Sequence, residues 1–408
     1  MKTVYLVGIG MGYRGGITIE ADTIISGSEV LIGAKRMLEP FQNEETMKRQ
    51  TFFSSYRPEE IGAFLRQQND YKQAAVLLSG DVGFYSGATG LLKELQDFEV
   101  KLIPGISSMI YFCSKLKKSW EDACFTSVHG RESNLIQRIR RNPKTFALLD
   151  GGDKLKNLCE KLTYYGMGDV IVHIGQKLSY SDEVVISKRA DEIKDFSFHN
   201  LLVVLVENKE YNNQVALSIP DEEFIRDKVP MTKQEVRNVS IGKLNLKADS
   251  ILYDIGAGSG SVSIEAAMQS PDIKVFAIEK KEEALNLIEQ NKRKFAADNV
   301  ELVKGVAPDI LEELPVPTHA FIGGSSGNME EIISVIQKKN EKAKIVINTV
   351  ALNSVAQVMT LLEKHPEWKT DIVQMQVSKD KKIGGYHMMM GQNPIYIITI
   401  ELEKESVQ

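Results

Sequence analysis

The sequence predicts two α/β domains in tandem. Three observations carry this reading. Strand, glycine turn and helix recur along the whole chain. A length of 408 residues favours two cores of roughly 200 residues each over a single one. A polar, turn-rich stretch, Glu207-Asn208-Lys209-Glu210-Tyr211-Asn212-Asn213, interrupts the pattern midway. The boundary is therefore placed near residue 209, giving domains 1–208 and 209–408.

Residues 4–7 form the first strand, which runs into Gly8-Ile9-Gly10-Met11-Gly12, and Thr18 is positioned to cap the helix that follows. Leu31-Ile32 is a short second strand, and residues 57–67 have the spacing of an amphipathic helix. Residues 74–79 make a buried strand ending in Gly80-Asp81-Val82-Gly83-Phe84-Tyr85-Ser86. After a strand over 100–103, Pro104-Gly105-Ile106-Ser107-Ser108 turns into a helix carrying Met109, Ile110, Phe112 and Leu116. Loops at the carboxyl ends of strands line the ligand crevice of open α/β sheets, so these loops point to a site. Strands over 146–150 and 171–174 run into polar or glycine-bearing segments, and the apolar strand 201–206 closes the first half.

In the second half, Ser250-Ile251-Leu252-Tyr253 supplies a strand and Asp254-Ile255-Gly256-Ala257-Gly258-Ser259-Gly260 a glycine turn. Val262, Ile264, Ala266 and Ala267 then begin a buried helix. The next strand, Val275-Phe276-Ala277-Ile278-Glu279, ends in a carboxylate about 20 residues beyond the turn, where a doubly wound fold places the acid that grips a ribose diol. An adenosine-bearing cofactor is the resulting expectation. A dinucleotide fingerprint would carry its third glycine where Ser261 stands, which makes NAD the weaker match.

A formal net charge of −5 argues against nonspecific binding to nucleic acid or to an anionic membrane, so an anionic ligand must be met by local cations. Three cysteines leave an odd thiol under any pairing, which favours a reducing compartment, and the cytoplasm is expected. The longest apolar run, 201–206, falls far short of the ~20 residues that span a bilayer. The six histidines are scattered, and no metal is expected.

The Asp-Ile-Gly-Ala-Gly-Ser-Gly run resembles motif I of the class I methyltransferases, which hold S-adenosylmethionine. In the first half, five blocks together resemble the tetrapyrrole methylase family: Val7-Gly8-Ile9-Gly10, the 78–86 loop, Pro104-Gly105-Ile106-Ser107-Ser108, His129-Gly130-Arg131 and Gln176-Lys177-Leu178-Ser179-Tyr180-Ser181-Asp182-Glu183. Within it, His-Gly-Arg and Leu-Ser-Tyr look like the cobalt-precorrin-7 C5-methyltransferase branch. Val82 departs from the family's usual proline. In the second half, Ile219-Pro220-Asp221-Glu222-Glu223-Phe224, Val229-Pro230-Met231-Thr232-Lys233-Gln234-Glu235-Val236-Arg237, the glycine turn, Gly305-Val306-Ala307-Pro308 and Phe321-Ile322-Gly323-Gly324-Ser325-Ser326-Gly327-Asn328 resemble the decarboxylating cobalt-precorrin-6B C15-methyltransferases.

The resemblances imply a class III tetrapyrrole methylase fold followed by a class I Rossmann-like fold, each with its own S-adenosylmethionine, acting in succession on an anionic corrin precursor. They imply cofactor contacts at Gly80, Asp81, Gly83, Ser107, Ser108 and Asp150 in the first half. In the second half the implied contacts are Asp254, Gly256, Gly258, Gly260, Glu279 and Ala307. Substrate contacts are expected at Gly10, Arg14, His129 and Arg131, and at Thr232, Lys233, Glu235, Arg237, Gly323 and Gly324. Arg14 and Arg131 suit the carboxylates of a tetrapyrrole, which arginine binds in bidentate fashion. His129 reads as a hydrogen-bonded structural residue as readily as a general base, since an electron-rich carbon nucleophile needs little acid–base help. No catalytic residue is assigned.

Gln392-Asn393-Pro394-Ile395-Tyr396 is similar to the amine-reading loop of DNA methyltransferases but does not follow the fourth strand, where that loop belongs. Met388-Met389-Met390 suits apolar packing better than a macrocycle contact. A catalytically inactive tetrapyrrole-binding or scaffold protein and a nucleic-acid methyltransferase are the competing readings, and the acidic charge opposes the latter. A homo-oligomer is expected.

Overall fold

The computed structural model describes residues 2–42, 50–128, 133–193, 198, 201–214 and 218–402. Two compact units emerge. The first comprises Met1–Glu132, Asn142–Glu160 and Gly168–Lys209, and the second comprises Ser133–Arg141, Lys161–Met167 and Glu210–Gln408. Two short segments from the earlier half of the chain thus group with the later one.

The first unit holds two five-stranded sheets. One is parallel throughout, in the spatial order Thr51–Ser54, Val30–Gly33, Gln73–Leu78, Thr3–Gly8, Glu99–Ile103. The strand Thr3–Gly8 is buried on both faces. Alternation sends Val4 and Leu6 into one core with Ile61, Leu65 and Leu91, and sends Val7 into another with Ala21, Ile25 and Leu38. Thr18 caps the helix Ile19–Gly27, its hydroxyl accepting from the Ala21 amide at 3.2 Å. The second sheet is mixed, in the order Ala123–Ser127, Lys144–Asp150, Leu201–Glu207, Ile171–Gln176, Val184–Arg189. The apolar strand Leu201–Glu207 lies at its centre, antiparallel to both neighbours.

The second unit is built on a seven-stranded sheet ordered Val300–Lys304, Lys274–Glu279, Ile251–Ile255, His319–Ile322, Lys344–Thr349, Ile395–Glu401, Lys369–Met375. The first five strands are parallel, and Ile395–Glu401 runs antiparallel between its two neighbours. This is the Rossmann-like architecture expected. Tyr253 and Ile255 face one core with Ile332 and Ile336, and Leu252 faces another with Val262 and Ile288. Strand order reverses on either side of Ile251–Ile255, so a crevice opens at the carboxyl end of that strand. The hairpin Ser378–Ile383 and Tyr386–Gly391 forms a two-stranded sheet of its own.

Candidate functional site

At the switch point of the second unit the chain leaves Ile251–Ile255 through three glycines with left-handed backbones, φ being +73° at Gly256, +55° at Gly258 and +75° at Gly260. The tightness comes first from the protein itself. A Cβ on Gly256 would lie 2.8 Å from the Gly324 carbonyl oxygen, and one on Gly258 would lie 2.8 Å from that of Pro230. The turn is thereby pressed between the 230 and 324 segments. Glu279 ends the adjacent strand and faces it, accepting from the amides of Gly258 at 3.1 Å, Lys280 at 2.9 Å and Lys281 at 3.1 Å. Three backbone donors fix this carboxylate at the crevice, two on Oε1 and one on Oε2, which leaves Oε2 a lone pair for a further partner.

A cavity of about 670 Å³ opens over the turn, within the ~300–1,000 Å³ usual for small-molecule sites. Gly256, Gly258, Glu279 and Ala307 line it together with Thr232, Lys233, Gly323 and Gly324. Residues from five distant stretches of sequence therefore meet in one place. Gly260 does not line the cavity. Its left-handed turn begins the helix Ser261–Ala267, and a Cβ there would meet the Ile288 side chain at 3.0 Å.

Asp254 lies just before the turn and outside the cavity wall. It is 1% exposed, its Oδ2 accepts from the Ser263 hydroxyl, and its Oδ1 has no partner. Burial pushes its carboxyl up to about 7, with the nearby Glu279 charge adding to the effect and the Ser263 bonds opposing it. The residue fits a support beneath the turn better than a direct ligand contact.

Two expected substrate contacts are corrected. Arg237 is 0% exposed and its guanidinium is engaged inside the protein. Nε donates to Glu265 at 2.6 Å, Nη1 donates to the Thr232 carbonyl at 2.7 Å and reaches Asp221 at 3.3 Å, and Nη2 donates to the Ile219 carbonyl. The Phe224 ring covers it at 4.8 Å. Arg237 thus holds the 230–233 segment from behind and does not meet substrate. The helix Gln234–Leu244 carried the signal, because Arg237, Ser240, Ile241 and Leu244 share its buried face at three- and four-residue spacing. Glu235 is likewise outside the cavity wall, paired with Lys379 at 2.8 Å. Burial would raise its carboxyl, but Lys379 holds it below the ordinary carboxylate range.

The cavity also contains residues that the sequence reading missed. Lys228, Lys280 and Lys281 line it with Lys233, giving four lysines to meet an anion. Lys280 and Lys281 directly follow Glu279 at the carboxyl edge of the sheet, which was a usable signal. Gln392 and Asn393 also line the cavity. They directly precede the strand Ile395–Glu401, which runs antiparallel to Lys344–Thr349, so its beginning lies where the parallel strands end.

In the first unit, loops from three neighbouring strands are knotted together. Gly10 donates to the Gly80 carbonyl at 3.1 Å, and Gly80 donates back to that of Gly10 at 2.7 Å. Asp81 joins the third loop: its Oδ1 accepts from the Gly83 amide at 2.8 Å and its Oδ2 from the Gly105 amide at 3.1 Å. Ser107 is 3% exposed and caps the helix beginning at Ser108, accepting from the Ile110 amide at 3.3 Å. These expected cofactor residues converge at the carboxyl edge of the parallel sheet. Asp150 ends Lys144–Asp150 in the other sheet of the unit and is exposed. Arg14 pairs with Asp22 at 3.1 Å and lies over the Phe41 ring at 5.1 Å, so its cation is already partnered. His129 and Arg131 lie outside the described residues. Among the described residues no cluster of side chains could hold a metal ion, and no helix is long and apolar enough to cross a membrane.

Comparison with known proteins bears on both units. Residues 3–194 match the family of Tetrapyrrole (Corrin/Porphyrin) Methylases, and residues 222–401 match the Precorrin methyltransferase domain. A protein of Methanocaldococcus jannaschii named "Probable cobalt-precorrin-6B C(15)-methyltransferase (decarboxylating)" is 42% identical over 181 residues, covering 44% of this chain and 96% of that protein. A Sinorhizobium sp protein named "Precorrin-6Y C(5,15)-methyltransferase [decarboxylating]" is 26% identical over 398 residues, covering 97% of this chain and 94% of that protein. The crystal structure of precorrin-6y C5,15-methyltransferase from Geobacter metallireducens shares 42% identity, covers 45% of this chain and 95% of that one, and gives a TM-score of 0.43.

Proposed function

The chain belongs to the precorrin methyltransferases, and from that premise we propose that its halves divide two reactions. Residues 209–408 methylate a precorrin-6B-type macrocycle at C15 and release CO2 from the C12 acetate, and residues 1–208 add a methyl at C5. The enzyme is a decarboxylating C-methyltransferase of corrin biosynthesis that uses S-adenosylmethionine. The single observation supporting the division is the extent of the relatives: one named for both positions spans nearly the whole chain, and one named for C15 alone spans only the later part.

The cavity of the second unit suits the cofactor. Glu279 can accept from ribose hydroxyls, the glycine turn leaves room for the amino-acid part, and Ala307 offers an apolar face to the adenine. S-adenosylmethionine supplies the electrophilic methyl group. The chain's own residues bind, orient and exclude water: Lys228, Lys233, Lys280 and Lys281 meet macrocycle carboxylates, and Gly323 and Gly324 allow close backbone approach. The ring carbon provides the electron pair for the new C–C bond. Loss of CO2 leaves a pair on the former acetate carbon, which takes up a proton to become a methyl. In the first unit Gly80, Asp81, Gly83, Ser107 and Ser108 form the cofactor side of the crevice, with Gly10 towards the macrocycle.

The exposed hairpin Ser378–Ile383 and Tyr386–Gly391 supports a homo-oligomer built by a second copy of the chain. Two-stranded sheets are marginal alone, and this one presents Tyr386 at 79% and Met389 at 66% exposure. The net charge and the odd cysteine count support a cytoplasmic enzyme without a nucleic-acid partner. The test is product mass. Incubating the full chain with precorrin-6B or its cobalt form and S-adenosylmethionine should add two methyls and remove one CO2. Methylation without loss of CO2 would overturn the assignment.

A further inference from the structure

The segment following Ile171–Gln176 in the first unit carries two non-glycine residues in the left-handed region, Lys177 at φ +48° and Ser179 at φ +73°. Such backbones are uncommon for residues with a Cβ and persist only where their surroundings hold them. Between them Leu178 is 6% exposed and packs with Met109, Phe112 and Phe146. The holding group is Glu183. Its Oε2 accepts from the Ser179 amide at 2.6 Å and from the Tyr111 hydroxyl at 2.7 Å, and its Oε1 pairs with Lys115 at 3.0 Å. Burial would raise its carboxyl, yet the Ser179 amide, Tyr111 and Lys115 together keep it below the ordinary range.

The clamped loop is docked on the glycine loop of the crevice. The Ser179 hydroxyl donates to the Met11 carbonyl at 3.1 Å. Gly12 has φ +105°, and a Cβ there would lie 2.7 Å from the Tyr180 hydroxyl oxygen, so this phenol sits directly over the backbone of the 8–12 loop. The Arg36 guanidinium donates to the same hydroxyl at 3.4 Å, and both side chains are exposed. An arginine beside a phenol is a receiver for a carboxylate: one offers charge and the other a directed O–H donor.

We propose that Glu183 is a positioning residue of the first unit, clamping the 177–183 loop across the 8–12 loop so that Tyr180 and Arg36 receive a carboxylate of the macrocycle. The inference rests on reading residues 1–208 as the C5-methylating half. It gives Glu183 no contact with substrate; its effect passes through Ser179 to Tyr180.

Steady-state kinetics on the full chain tests it, with C15 methylation of the same samples as an internal reference. Glu183→Gln should raise the KM for the C5 substrate about tenfold with kcat changed less than threefold, and Tyr180→Phe should raise the same KM. Because both act through one contact, the double variant should be no worse than about the larger single effect. C15 turnover should remain unchanged in every variant. An unchanged C5 KM in Glu183→Gln, fully additive single effects or a parallel loss of C15 turnover each overturns the proposal. If Glu183→Gln fails to fold, Tyr180→Phe and Arg36→Gln carry the test, and an unchanged KM in both overturns it. A wild-type protein that methylates C15 but never C5 defeats the reading of residues 1–208, and this inference with it.

Discussion

At Asp254, burial and ionisation oppose each other in a way that pH can expose. Its carboxyl is held near 7 when folded and returns to about 4 in the unfolded chain. Between these values the native state binds more protons, so this group's contribution to stability falls as pH rises from about 4 to 7 and then stays level. Asp254→Asn keeps an acceptor for Ser263 and removes the titration. The difference in unfolding free energy, variant minus wild type, should therefore grow by a few kcal/mol, to order of magnitude, between pH 4 and 7. Thermal unfolding across that range checks it, and a flat difference would refute the buried ionisation. Arg237 and Lys233 make a second contrast. Truncating one partner of a buried charge cluster leaves the others stranded, so Arg237→Ala should cost about 3–5 kcal/mol of stability and reduce binding only through unfolding. Lys233→Ala, at the cavity wall, should leave denaturant midpoints in place and raise the KM for the C15 substrate several-fold.

The informative element is the hairpin Ser378–Ile383 and Tyr386–Gly391. It has open edges on both sides, and Ile383, Tyr386 and Met388–Met390 are exposed, while Lys379 ties it to the helix Gln234–Leu244 through Glu235. A strand pair with open edges is a template for a partner strand unless charge or covering protects it. Replacing Tyr386 and Met389 together with aspartate should lower the oligomeric state measured by light scattering while the circular dichroism stays native. An unchanged particle mass would overturn the hairpin as the docking surface for a second copy.

At the scale of the whole molecule, two dissimilar glycine-loop assemblies imply two cofactor sites. Calorimetric titration with S-adenosylhomocysteine should approach two equivalents, and Gly258→Val should remove one, since a side chain at φ +55° would strike the Pro230 carbonyl. Cutting the chain near Lys209 should leave two folded pieces. The later piece loses Ser133–Arg141 and Lys161–Met167, which group with its unit, so it should melt below the intact protein while still methylating C15 with loss of CO2. The Methanocaldococcus jannaschii relative, covered to 96% by 181 residues of this chain, is a protein of about that size. Aggregation of the fragment would show that the two earlier segments are indispensable to it.

The sequence by itself determined what depends on neighbours along the chain. Alternation in Val4–Val7 and Leu252–Ile255, a glycine turn at 256, 258 and 260, and a carboxylate closing Lys274–Glu279 are local features, so the crevice loops of both parallel sheets are legible in the order of residues alone. Only the tertiary structure decided what depends on strand order and on which face of an element is covered. The antiparallel Ile395–Glu401 carries Gln392 and Asn393 to the cavity, although in sequence they stand far from the strand expected to supply such a loop. Arg237 looked like an anion receptor beside Lys233, but Glu265, Asp221 and Phe224 close around it from separate stretches. A charged side chain reads the same in sequence whether it meets a ligand or a buried carboxylate, because its partner is chosen by packing.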